Sequence, residues 1–161
     1  MNSKSNQFLS LLQNEIDQIQ SLHELLLAEK ASIESNQIDD LNDITANKQV
    51  VLDNVEIASR QRSEFLLAAV QATTEQKRLQ TFFDSSPADD RVLLENQFAS
   101  LENALVKCKE QNNINAMIIS MNQRHIERNM NILKGIDSNS MTYTNKGTTA
   151  VAQEKLSGVK A

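Results

Sequence analysis

Between Asp40 and Phe82 the sequence places Leu41, Ile44, Lys48, Val51, Val55, Ala58, Arg62, Phe65, Ala69 and Ala72 in alternating steps of three and four. That spacing puts ten positions on one line only if the chain is helical and the line faces another helix. A sheet protein is excluded from the other side as well. Three glycines, one proline and no tryptophan in 161 residues leave little material for tight turns or hairpins. Hydrophobic residues are 40% of the chain, short of the roughly 45–50% of an average globular domain. The expected fold is therefore all-α: about three long helices in an elongated antiparallel coiled coil or bundle, with a narrow aliphatic seam.

The first helix is expected from about Ser5 to Ser35, where Leu12, Ile19, Leu26 and Ile33 recur every seven residues and Leu11, Ile16, Leu22 and Leu25 widen the stripe. Asn36 ends it, Asp39 or Asp40 caps the next helix, and Ile38 can pack back as a staple. The second helix is expected over Asp40–Phe82. Ser86 as N-cap, Pro87 in the first turn and Asp89 and Asp90 behind it open a third helix. That helix runs to Lys134, with Gly135 as its terminating residue. Its seam is Leu94, Phe98, Leu101, Leu105 and Cys108. From Gln111 the pattern changes: Asn112, Asn115, Asn122 and Asn129 fall on the old seam, and Ile114, Met117, Ile118 and Met121 occupy a shifted face, followed by Ile126, Met130 and Leu133. Residues 1–136 read as a helical domain. Residues 137–161, rich in Ser, Thr, Asn, Lys and Gly, read as a disordered tail.

Little in the chain suggests catalysis. His23 and His125 are the only imidazoles, and neither has a Glu three residues before it as a di-iron bundle requires. His125-Ile126-Glu127 has the His-x-Glu of zinc deaminases without their Cys-x-x-Cys. Cys108 sits on a seam and reads as a small buried hydrophobe. Glycines at 135, 147 and 158 cannot build a phosphate loop. A binding protein without enzyme activity, metal or cofactor is expected. The net charge of −5 and the scarcity of aromatics argue against nucleic acid, which needs a basic stripe. The longest apolar run, Phe65–Val70, is far below the ~18 residues of a membrane span. The amphipathic N-terminus is unlike a signal peptide, and a single cysteine suits the reducing cytoplasm.

Where a binding surface lies follows from helix lengths. The second and third helices outrun the first, so part of their apolar surface lacks a partner within the chain and can accept another amphipathic helix. The stretch around Met117, Met121 and Met130 suits this, since flexible thioethers adapt to more than one client. The Asn-rich positions read equally as a solvent face or as a polar seam that limits self-association. For Lys48 and Arg62 the expected role is passive: methylene stems cover the seam and charges reach water, or the pair fixes register. The alternative is a salt bridge to a client or a neighbouring helix.

Several segments resemble one known family. Asn112–Lys134, NNINAMIISMNQRHIERNMNILK, is similar to the late amphipathic helix of the flagellar export chaperone family FlgN, including the Asn-rich start and the Ile126-Glu127-Arg128-Asn129 step. Thr142–Thr149 resembles that family's Thr/Tyr–Gly–Thr tail motif, with Thr144 where Gly often follows the tyrosine. Lys48 and Arg62 match a Lys and then an Arg on its middle helix. The resemblance implies a cytoplasmic chaperone of type III export. Such a protein binds the C-terminal amphipathic helices of hook-filament junction proteins, prevents premature association and delivers them to the export gate. Client contacts are expected on the apolar residues of that late helix, Ile114, Met117, Ile118, Met121, Ile126, Met130 and Leu133, and the resemblance implies gate contact at Tyr143. A homodimer in the client-free state is compatible with the same open stripe. The competing reading is a structural coiled coil that satisfies its seams by self-assembly.

Overall fold

A computed structural model describes the backbone of residues 2–157 and the side chains of residues 2–135, that of Ile38 excepted. It contains four helices: α1 (Ser3–Ser35), α2 (Ile38–Ala69), α3 (Glu75–Ser85) and α4 (Ala88–Ser157). No strand occurs among the described residues. The chain divides into two compact units, Met1–Ile118 and Ile119–Ala161.

In the first unit α1 and α2 form an antiparallel hairpin. Asn36 ends α1 with φ 55°, and the Asn36 and Gln37 N–H groups donate to the carbonyls of Ile33 and Ser32. This Schellman closure satisfies orphan carbonyls in a left-handed conformation that asparagine tolerates. Gln37 precedes α2 without a side-chain cap, and Asp39 and Asp40 occupy its first turn, where carboxylates complement the helix dipole. The expected cap at Asp39 or Asp40, two or three residues later, is thus corrected. All ten seam positions of the second helix are buried or half-buried, so its periodicity is that of the core.

The expected single helix over Asp40–Phe82 is interrupted. Val70 turns extended (φ −140°, ψ 128°), and α3 begins after Thr74, whose hydroxyl accepts the Lys77 N–H. Arg62 and Ser63 both donate to Glu75, tying the last turns of α2 to the first of α3. The break folds α3 back so that Phe82 and Phe83 reach Phe8 of α1. All five phenylalanines of the chain then form one cluster drawn from all four helices, with Phe8 5.0 Å from Phe82 and 5.6 Å from Phe65, and Phe83 6.2 Å from Phe98. Offset and edge-on aromatic pairs of this kind contribute roughly 0.5–1.5 kcal/mol each beyond their buried area.

The α4 helix starts one residue later than expected. The Pro87 carbonyl accepts the Arg91 N–H, while the Ser86 hydroxyl donates back to Phe82 O. Up to residue 118 α4 runs parallel to α1: Asn2 meets Asp90, Ile19 meets Cys108 and Leu26 meets Asn115. Leu94, Leu101 and Cys108 are buried there, but Leu105 is 45% exposed and Ala104 packs against the core instead. The step from Leu101 to Cys108 is divided three and four, which selects residue 104. No terminating turn occurs at Gly135, since no glycine among the described residues has positive φ and α4 extends to Ser157. The side chains of the expected tail, residues 137–161, lie outside the described residues.

Candidate functional site

Both charged interruptions of the α2 seam have partners on α1. Arg62 Nε donates to Glu15 Oε2 at 2.6 Å and Nη1 to Glu75 Oε1 at 2.8 Å, and Lys48 pairs with Glu29. These are the neighbouring-helix salt bridges, so the expectation of solvent-reaching charges is corrected. The Arg62 side chain is only 12% exposed. Burial opposes its charge, but Glu15 and Glu75 outweigh that and hold the guanidinium above its ordinary pKa.

The polar seam of α4 is likewise internal at Asn115. Its amide, 1% exposed, donates to Leu26 O and Glu29 Oε2, each at 2.8 Å, and its Oδ1 accepts from Gln111. Glu29 thus joins Lys48 of α2 to Asn115 of α4. Asn112, by contrast, is exposed, as are Asn122 and Asn129 in the second unit. The thiol of Cys108 donates to Ile19 O at 3.2 Å, and burial pushes its pKa up, which keeps it protonated and inert. A shallow hollow along α1 and α4, lined by His23, Glu24, Asn103 and Lys107, has too few convergent apolar groups for a small-molecule site. Among the described residues no group of His, Cys, Asp and Glu could hold a metal.

The α4 residues singled out from sequence fall in both units. In the first, Ile114 and Met117 are exposed and Ile118 is half-buried. In the second, Met121, Ile126, Met130 and Leu133 are all exposed, Ile126 at 63%. Ile119 and Ile132 are exposed beside them and escaped the sequence reading. At 3.6 residues per turn, Ile119, Ile126, Met130 and Leu133 share an arc of about 60°. Met121 and Ile132 lie about 150° and about 130° from the centre of that arc. The expected single stripe is therefore two faces in the second unit. Tyr143 lies outside the residues whose side chains are described.

The first unit is strongly acidic, with 10 Lys and Arg against 18 Asp and Glu, whereas residues 119–161 carry 6 against 3. No charged residue occurs between Glu110 and Arg124. Sequence reading names Arg128 only within the family-like step and Arg124 not at all; the signal that marks both is the reversal of charge along the chain.

The described residues form an all-helical protein whose last helix exposes Ile, Leu and Met side chains, the form of a helical binding protein. The profile of the FlgN protein family matches residues 1–150. The chain belongs to the FlgN family of flagellar export chaperones. Comparison with curated proteins and with solved structures gives no match. Among the described residues no helix is long and apolar enough to cross a membrane.

Proposed function

We propose that this chain is a cytoplasmic chaperone for hook-filament junction proteins: it captures their C-terminal amphipathic helices, prevents premature association and delivers them to the export gate. The observation that carries the reading is the exposed apolar surface of α4 at Ile126, Met130 and Leu133. Exposed patches of this kind in a soluble helical protein are docking sites for another helix. Ile114, Met117, Ile118 and Met121 supply further client contacts. A client segment, unstructured when free, folds against them. Each large aliphatic side chain buried contributes roughly 1.5–3 kcal/mol before ordering costs, enough for micromolar binding from a few anchors. Tyr143 contacts the cytoplasmic domain of the gate while the helices retain the client.

Sedimentation of the full chain with and without a peptide of a junction protein's C-terminal segment tests this. Formation of a stoichiometric complex supports the chaperone. A fixed homo-oligomer that ignores the peptide favours a self-assembling coiled coil, whose seams are already satisfied.

A further inference from the structure

The second unit offers more than an apolar stripe. Arg124 and Arg128 are exposed and lie with Met121 and Ile132 within an arc of about 80°, on the side away from Ile126 and Met130. Among the described residues neither charge is neutralised by an ion pair. The ion pairs among the described residues involve Glu15, Glu29, Lys30, Glu34, Lys48, Arg62, Glu75, Asp84, Arg91 and Glu95, all in the first unit. Arg124 donates only to the Ser120 hydroxyl at 3.1 Å, and no described carboxylate pairs with Arg128. Glu127, the one acid among residues 119–135, lies off this arc.

We infer that Arg124 and Arg128 form a specificity-determining face for carboxylates of the client, so that the client covers this segment from two sides: an uncharged apolar helix face on Ile126 and Met130, and an acidic one on the arginines. The inference rests on the chaperone reading above and adds the chemistry of the second contact. The geometry sets what that client helix carries. Its apolar anchors match Met121 and Ile132, which are separated by about 16 Å along the axis at ~1.5 Å per residue. Between them stand Asp or Glu side chains one turn apart, since guanidinium groups four residues apart meet carboxylates with the same spacing. A second copy of this chain docked segment to segment is the poorer occupant, because it would bring arginines against arginines. Paired like charges across an interface select against the wrong partner.

The test is titration of the full chain with the junction-protein C-terminal segment at about 50 mM and about 500 mM salt, concentrations that weakly and strongly screen exposed charges. The wild type, Ile126→Asp, the pair Arg124→Gln/Arg128→Gln and the pair Arg124→Glu/Arg128→Glu are compared, with helical content checked by circular dichroism. The expected result is a loss of roughly tenfold in affinity for the Glu pair at low salt, an intermediate loss for the Gln pair, and a flatter salt dependence for both. Ile126→Asp abolishes binding at both salt concentrations. Wild-type affinity and salt dependence in the Glu pair, with the segment still bound, overturn the inference and leave the chaperone reading standing. Failure of the wild type to bind the segment overturns both. Retention on anionic vesicles that only the Arg pairs abolish, with unchanged client binding, assigns the face to a membrane surface instead.

Discussion

Arg62 Nε lies 2.6 Å from Glu15 Oε2 across the α1–α2 seam, and Lys48 meets Glu29 fourteen residues further along both helices in opposite directions. The two bridges are therefore two teeth of one antiparallel register. A slip of a single heptad separates both pairs at once and buries four charges without partners, which is how a polar seam selects one alignment among many that aliphatic residues would accept.

Arg62→Met leaves the Glu15 carboxylate buried opposite a thioether. Chemical denaturation is expected to show a loss of about 3–5 kcal/mol, the range for breaking a buried pair on one side. The double substitution Arg62→Met/Glu15→Leu is expected to recover most of that loss. If it recovers nothing, the pair contributes more than register.

Asn115→Ala removes the donor to both Leu26 O and Glu29 Oε2. A loss of about 1–3 kcal/mol in urea unfolding is expected, the usual range for leaving buried acceptors unpaired. Asn112→Ala, on an exposed position of the same helix, is expected to change stability by less than about 0.5 kcal/mol.

Asp90 accepts the Asn2 N–H at 2.9 Å, and this bond, with the Ser5 hydroxyl, holds its carboxyl below the usual carboxylate range. A carboxyl whose pKa is lower in the folded chain stabilises it fully above the unfolded value and less as pH falls. The contribution is thus present above about pH 4 and lost below it. Acid titration followed by helical content is expected to show a shallower decline in that window for Asp90→Asn than for the parent chain.

Ile126→Asp is expected to keep the helical spectrum and abolish client binding, because the side chain is exposed and its replacement leaves no cavity. Tyr143→Ala is expected to keep client affinity, read by calorimetry, and to impair export in cells. The opposite pattern for Tyr143, with client binding lost and gate binding kept, reverses its role.

Sequence periodicity located the helices where the seam spacing held: Leu12 to Ile33 on α1 and Leu41 to Ala69 on α2 are buried or half-buried. It failed where a local signal was weaker than the repeat. Ala72 continues the three-four spacing past the end of α2, and no Gly or Pro marks residues 70–74. Thr74 with Glu75 behind it is a helix-start signal, but the aromatic cluster that requires the bend is assembled from residues as distant as Phe8 and Phe83. Such closure is invisible to a window moved along the chain. The same limit applies to Asn115, whose partners lie 86 and 89 positions away. On α4 the apolar residues were legible one by one. Their division into two faces required the helical phase to be carried across Asn122 and Gln123, where no apolar side chain reports it.

The five phenylalanines gather near the start of α1, and the Glu29 network lies about 30 Å away toward its end, at ~1.5 Å per residue. One pole of the first unit is sealed by rings that water cannot replace. The other is held by amides and carboxylates for which water is a ready substitute. Breathing motions therefore start at the hydrated pole, and amide deuteration should spread from the Asn36 turn toward Phe8, not inward from both ends.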